Sequence, residues 1–103
     1  IFMVVEDMPE HPGGIAELMK FLGKNIKYPT IAQENGIQGR VVVEFVVNRD
    51  GSIVDPKVVR GVDPSLDKEA VRVIMSMPKW KPGKQGGKTV RVKYTVPVTF
   101  RLK

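Results

Sequence analysis

The sequence contains no cysteine, which excludes disulfide bonds, thiol nucleophiles and metal sites built on thiolates. Its single histidine, His11, stands in a turn rich in proline and glycine, so we expect neither a histidine metal site nor a nucleophile–histidine pair. No apolar run approaches the roughly 18 residues that cross a membrane, and no signal sequence is visible. These absences predict a protein that is not an enzyme and carries no metal or other cofactor.

Acidic residues are missing from the last third of the chain. Residues 1–69 hold 8 of the 17 Lys and Arg and all 11 Asp and Glu, a balance of −3. Residues 70–103 hold the other 9 basic residues, a balance of +9, so that the chain carries +6. This segregation fits a solvated basic surface or a docking surface for an acidic partner. Nucleic acid is not expected as a partner, because the predicted strands expose no row of aromatic residues for stacking bases.

The 103 residues, 42% of them hydrophobic, are enough for one domain with a core. The chain begins with Ile1 rather than Met, which indicates a piece of a longer protein. Residues 2–6 have the character of a short strand, and two prolines and two glycines in residues 8–14 end it. We therefore expect an N-terminal strand and a Pro/Gly-rich lead-in over 1–14, and the domain proper over 15–103.

Three segments carry helical signals. Apolar residues three and four apart predict an amphipathic helix from Ile15 that ends before Tyr28-Pro29. Its expected buried face is Ile15, Leu18, Met19, Leu22 and Ile26. A second helical piece over 30–35 is stopped by Gly36. Asp63-Pro64-Ser65 predicts the start of a third helix, which Pro78 ends. Its expected buried face is Leu66, Ala70, Val73, Ile74 and Met77.

Three segments alternate between apolar and polar residues and are predicted strands, over 40–48, 53–60 and 90–103. The turn Asn48-Arg49-Asp50-Gly51 joins the first two as a hairpin. A right-handed crossover through the third helix leaves the first strand between the other two, in the order 2-1-3 with antiparallel neighbours. The predicted fold is an α+β two-layer sandwich, with helices on a three-stranded antiparallel sheet and a possible extra N-terminal strand.

The third strand lies at an edge in this arrangement, with a row of unpaired backbone groups. If Pro97 lies within the ladder, the odd-numbered residues must direct their backbone groups outward, since an inward proline would lose a central hydrogen bond. A guest strand would then pair with Arg91, Lys93 and Thr95 and lose register at Pro97. The same charges and proline are also typical of protection against aggregation at an edge.

A set of short motifs is spread over residues 28–102. They are Tyr28-Pro29, Ala32, Gly36-Ile37, Gly39, Val41, Val43, Phe45, Val47, Asp50-Gly51, Leu66-Asp67, Glu69-Ala70, Met77-Pro78, Trp80, Pro82-Gly83 and Pro97-Val98. Together they resemble the C-terminal domain of TonB energy-transducing proteins. Residues 8–14 also look like an extension found in one large branch of that family, in which an aromatic residue commonly stands in the place of His11.

The resemblance implies a protein anchored in the inner membrane by one N-terminal helix and associated there with an ExbB–ExbD-type proton-driven motor. It implies that the present domain lies in the periplasm, beyond a Pro-rich linker. There it would capture the TonB box, a short segment of an outer-membrane transporter, as a strand added beside its last strand. Pulling or rotation would then remodel the transporter's plug so that iron chelates, cobalamin or glycans enter. TonB boxes often carry an acidic residue, which would suit Arg91 and Lys93.

The predicted site combines the edge-strand argument with the resemblance to the TonB family. The residues expected to bind the TonB box are Val90, Arg91, Val92, Lys93, Tyr94, Thr95 and Val96. The family region that touches the transporter plug gives, more weakly, Asn25, Lys27, Tyr28 and Pro29. An alternative is a TonB-like periplasmic interaction domain of a membrane-bound sensor or peptidase-like protein. A strand-exchanged homodimer and pairing of residues 2–6 with a sheet edge both stay open.

Overall fold

The computed structural model describes residues 1–102, which fold into helices on one face of a sheet. The elements are α1 (Gly14–Asn25), α2 (Thr30–Glu34), β1 (Gly39–Val47), β2 (Ile53–Arg60), α3 (Pro64–Met75), β3 (Gly83–Gln85), β4 (Lys88–Val90) and β5 (Val92–Phe100). One hydrophobic core lies between the helices and the main sheet. The predicted α+β two-layer sandwich is confirmed.

The main sheet has the strand order β2-β1-β5, and both pairs are antiparallel. This is the predicted order 2-1-3, with β5 as the third strand. The central strand β1 turns four alternate residues to the core with no exposed surface, namely Val41, Val43, Phe45 and Val47. Pro56 lies on β2, at an edge, where a proline is tolerated because it breaks no central ladder.

The turn between β1 and β2 requires a glycine for two reasons. Gly51 has a φ of +86°, in the left-handed region that favours glycine. The backbone of Trp80 also approaches so closely that a Cβ on Gly51 would lie 2.0 Å from the Trp80 carbonyl oxygen. The Trp80 N–H donates to the Gly51 carbonyl at 2.8 Å, so this turn and the segment after α3 are held together.

Helix α1 buries only part of its predicted face. Leu18 and Leu22 are buried, whereas the side chains of Ile15 and Met19 are 64% and 45% exposed. The prediction that Ile15 and Met19 face the core is therefore wrong. The reason is the position of α1, which packs beside α3 and against the last part of β5, so that only one stripe of the helix meets the core.

Helix α3 follows its sequence signals. The Asp63 side chain caps the helix by accepting from the Ser65 N–H at 3.0 Å. The predicted residues Leu66, Ala70, Val73 and Ile74 have no exposed surface, and Met77 is buried just beyond the helix end. The whole predicted face of α3 is confirmed, because this helix lies across β1 and β2 rather than at the margin of the sheet.

The predicted third strand, 90–103, is divided in the structure, and its last residue, Lys103, lies outside the described residues. Val90 ends β4, which forms a small hairpin with β3 and places Val90 opposite Gly83. The edge strand β5 begins only at Val92. The partner strand β1 ends at Val47, directly opposite Val92, so Lys88–Val90 pair with β3 instead. Alternation alone does not reveal such a change of partner.

The lead-in over residues 1–13 makes isolated β-bridges but no regular strand, so the strand expected over 2–6 is not formed. Phe2 bridges Val92 in parallel, and two antiparallel bridges join Asp7 to Lys84 and Glu10 to Lys81. A further pair of bonds links Glu6 with the hairpin at Gln85 and Gly86. The lead-in therefore lies along β3 and reaches the start of β5.

An aromatic cluster holds the lead-in and the β3 segment to the core. Trp80 is buried, with ring centroids of Tyr94, Phe45 and His11 at 5.0, 5.3 and 5.8 Å. His11 also lies 5.9 Å from the ring of Phe21 on α1. His11 is thus packed as one ring among four others and takes the place that an aromatic side chain could fill.

Candidate functional site

The outer edge of β5 carries backbone groups that point away from the sheet. β1 occupies only one side of β5. On the other side, the N–H of Phe2 donates to the Arg91 carbonyl at 3.0 Å, and the Phe2 carbonyl accepts from the Lys93 N–H at 2.9 Å. Arg91 and Lys93 therefore direct their backbone groups outward, and by alternation Thr95 and Pro97 do the same. The predicted outward orientation of the odd residues is confirmed.

Pro97 lies opposite Val42 within the β1–β5 ladder. Because its nitrogen is on the outer side, no bond between the two strands is lost. Thr95 and Thr99 are exposed on either side of Pro97 along the chain. The edge thus presents the N–H groups of both threonines to solvent, and Phe2 covers only the upstream end.

The predicted edge residues do not all lie on β5. Val90 belongs to β4, so the prediction that it forms part of the last strand is wrong, and Arg91 lies between the two strands. The other predicted residues lie on β5 and are Val92, Lys93, Tyr94, Thr95 and Val96. Those with even numbers point toward the core, where Val92 and Val96 are buried. The accessible side chains of this set belong to Lys93 and Thr95.

The basic side chains at this edge already have acidic neighbours. The Arg91 guanidinium lies 3.6 Å from a carboxylate oxygen of Asp55 and donates from Nε to the Asn48 side-chain oxygen at 2.9 Å. Lys93 Nζ lies 3.9 Å from a Glu44 carboxylate oxygen. These partly exposed pairs contribute little to stability. They do reduce the positive potential that an acidic partner would meet. The groups that this edge offers to a partner are therefore mainly backbone N–H and C=O groups.

The second predicted region, around Lys27, is held by a buried carboxylate. The side chain of Glu69 on α3 accepts from the Lys27 N–H at 2.6 Å. The guanidinium of Arg72 clamps the same carboxylate with bonds of 2.6 and 2.7 Å and donates to the Asn25 carbonyl at 2.9 Å. Tyr28 donates its hydroxyl to the Ile37 carbonyl. Of the predicted residues, Asn25 and Lys27 are therefore bonded to α3, and Tyr28 is bonded to the segment before β1.

Glu69 is a residue whose role the sequence alone missed, because its position near the start of α3 suggested only a helix-terminus charge. Hydrogen bonds from Arg72 hold the pKa of Glu69 below its ordinary value; burial opposes this effect and the Lys27 N–H supports it. The available signal was the spacing of Glu69 and Arg72, three residues apart and so adjacent on one helix face.

An open cavity of about 530 Å³ lies beside this stretch. Its lining residues are Lys27, Tyr28, Pro29, Thr30, Ser65, Lys68, Glu69 and Arg72. The ring of Tyr28 also packs edge-on against Phe100, with 5.7 Å between centroids. The Lys27–Pro29 stretch therefore contacts the downstream end of β5 at Phe100, beyond the predicted edge residues 90–96.

Among residues 1–102, no group of three His, Cys, Asp or Glu side chains is placed to hold a metal ion. No helix in that range combines the length and the apolar character needed to span a membrane.

Comparison with protein families identifies residues 24–102 as a match to the Gram-negative bacterial TonB protein C-terminal model. Protein TonB of Pseudomonas aeruginosa is 36% identical over 75 residues, which are 73% of this chain and 22% of that protein. Protein TonB of Helicobacter pylori strain J99 is 37% identical over 78 residues, 75% of this chain and 26% of that protein. The chain thus matches about a quarter of the length of these relatives.

Solved structures give the same picture. The NMR structure of the Helicobacter pylori TonB C-terminal domain has a TM-score of 0.63 at 31% identity, covering 86% of this chain and 94% of that one. The NMR structure of the Pseudomonas aeruginosa domain has a TM-score of 0.61 at 33% identity, covering 75% of this chain and 78% of that one. Both sequence and fold place the chain in a group of non-enzymatic interaction proteins. The chain belongs to the TonB C-terminal domain family.

Proposed function

We propose that this domain is the periplasmic end of a TonB-type energy transducer and captures the TonB box of an outer-membrane transporter by strand addition to β5. In this proposal the full protein is anchored in the inner membrane and coupled to an ExbB–ExbD-type motor, which supplies the work for substrate uptake. Strand addition draws its affinity from main-chain hydrogen bonds, so it needs an edge whose N–H and C=O groups are accessible.

The pairing of Phe2 with β5 is the observation that carries the proposal. An extended residue from elsewhere in the chain already bonds to both Arg91 and Lys93 on the outer side. This pairing supports the proposal that the same edge accepts a further strand. Downstream of Phe2, the outward groups of Thr95 and Thr99 extend the same row. An incoming strand can pair there while the lead-in stays in place, or along the full edge once Phe2 has left.

A single proline substitution, at Thr95, tests the backbone pairing. Thr95→Pro removes an outward N–H without touching the β1 ladder, so the fold is retained and binding of a synthetic TonB-box peptide weakens. A lost bond that leaves an acceptor unpaired costs about 1–2 kcal/mol, or roughly 5–30-fold in Kd. Thr95→Val, which keeps the N–H, is the matched control and binds like the wild type. Arg91→Ala has a smaller effect than Thr95→Pro, because Arg91 is already paired with Asp55.

Amide NMR shifts on peptide titration locate the site. We expect the largest shifts between Lys93 and Thr99. Shifts confined to the β2 edge, or equal binding by the Thr95→Pro and Thr95→Val variants, would show that strand addition to β5 is not the mode of binding.

A further inference from the structure

A groove of about 200 Å³ runs between the C-terminal half of α1 and the last part of β5. Its lining residues are Met19, Leu22, Gly23, Ile26, Pro97, Val98 and Thr99. None of these residues is charged. The volume lies below the roughly 300–1,000 Å³ of pockets that enclose small molecules, so the groove has the size for a side chain of a bound polypeptide.

The α1 wall of this groove has an exposed stripe. Met19 and Gly23 are four residues apart on one side of α1, and Ile26 follows directly after the helix end. Met19 is 45% exposed, and Ile26 is only half-buried. Apolar groups that remain partly in water, beside a groove without charge, favour an apolar occupant.

Gly23 supplies an independent observation. It lies inside α1, where a glycine destabilises a helix relative to alanine. Its φ lies outside the left-handed region, and a Cβ placed on it would have no atom of the surrounding described structure within 4 Å. Neither the backbone conformation nor the packing of this domain requires a glycine there. Because Gly23 has no side chain, it leaves space on the α1 side of the groove.

The second wall of the groove is the edge on which strand addition is proposed. Pro97 and Thr99 belong to the outward-facing row of β5, and both line the groove. Every second side chain of a strand pairing with that row points to the helix side of the sheet. A side chain of the incoming strand near Thr99 would therefore enter the groove beside Gly23.

We propose that this groove is a specificity site that receives an uncharged aliphatic side chain of the strand bound to β5. The inference rests on the proposed function, and it adds a side-chain preference to a contact made otherwise of backbone. In this proposal α1 selects the sequence of the captured segment. The groove that does so is separate from the charged side chains of Arg91 and Lys93.

The test introduces bulk into the groove from a position that the fold leaves open. Gly23→Leu places an isobutyl group in the groove, and we expect binding of a TonB-box peptide to weaken at least tenfold, with thermal stability unchanged or raised. Ala16→Leu adds the same helix-forming residue at an exposed site of α1 outside the groove and binds like the wild type. Met19→Lys, which puts a charge on the same wall, weakens binding in parallel.

The peptide side of the test uses single replacements of each aliphatic residue of the box by aspartate. We expect one position to lose at least tenfold affinity for the wild type but little for Gly23→Leu, which has already lost that contact. If Gly23→Leu and Met19→Lys bind the unmodified peptide like the wild type while Thr95→Pro weakens it, the groove inference is wrong and strand addition stands. If the wild type binds no TonB-box peptide, the proposed function fails and the groove inference fails with it.

Discussion

Replacement of Glu69 by glutamine tests whether the buried carboxylate organises the Lys27–Pro29 stretch. Glutamine keeps the shape and one carbonyl acceptor, but it presents an NH₂ group to the Arg72 guanidinium, where the carboxylate accepts two bonds. Hydrogen bonds to charged groups contribute about 1.5–3 kcal/mol each. The Arg72 side chain is 45% exposed, and solvent screening lowers this figure. We therefore expect a loss of about 1–2 kcal/mol, or about 5–15 °C in Tm for a domain of this size.

The loss must depend on pH in a definite direction. The pKa of Glu69 is lowered in the folded state, so the folded protein favours the ionised carboxylate. The resulting stability is complete above the pKa of the unfolded chain and disappears as the pH falls through the lower pKa of the fold. Asp50 and Asp63, whose pKa values are lowered by hydrogen bonds from Ser52 and Ser65, titrate in both proteins and cancel in the difference.

Urea denaturation followed by tryptophan fluorescence measures this difference well. The chain has one tryptophan, and Trp80 is only 3% exposed, so unfolding moves it from the core into water. The gap between the wild type and Glu69→Gln should be full at pH 7 and close toward pH 3. Glu34→Gln, at an exposed carboxylate on α2, serves as the control with no gap. A Glu69 gap that is absent at pH 7, or unchanged at pH 3, would refute the assigned role of the carboxylate.

Two further outcomes follow from the lead-in. His11→Phe should raise the unfolding free energy by about 1 kcal/mol, because the buried Nε2 of His11 has no hydrogen-bond partner within residues 1–102 and a phenyl ring fits the same aromatic neighbours; a lower Tm would contradict this. Phe2→Pro removes the N–H that Phe2 donates to Arg91 and should tighten TonB-box binding roughly 2–10-fold by freeing the upstream edge. Unchanged or weaker affinity in a titration calorimeter would show that Phe2 does not compete for the edge.

Local signals were enough for much of the fold. The alternation of Val41, Val43, Phe45 and Val47 identified a strand with one buried face, because helices cover one side of the sheet, and the right-handed crossover placed this strand at the centre. Both strand prolines, Pro56 on β2 and Pro97 on β5, lie on edge strands, since neither residue can donate to a central ladder. The outward orientation of Arg91 and Lys93 followed from Pro97 alone. These predictions held because they depend on one strand and its immediate hydrogen bonds.

Long-range partners could not be predicted. Val90 continues the alternation of β5 perfectly, yet it pairs with Gly83, because β1 ends at Val47. Glu69 reads as an ordinary helix-start acid until the chain brings Lys27, 42 residues away, to its carboxylate. Ile15 and Met19 have helical spacing, but the spacing does not say that α1 lies at the margin of the sheet. Each of these features depends on the position of a second segment of the chain, which local sequence does not give.

The way the lead-in is attached also determines how the domain would respond to tension on its N-terminal end. The bonds of Phe2, Asp7 and Glu10 lie in series along the chain, each an isolated bridge rather than part of a continuous ladder. A force on residue 1 would act on one bridge at a time, so the bridges would break one after another. Thirteen residues released in this way extend by at most about 45 Å before α1 is strained. The first bond to break would be the one that covers Arg91 and Lys93, so tension itself would lengthen the exposed edge.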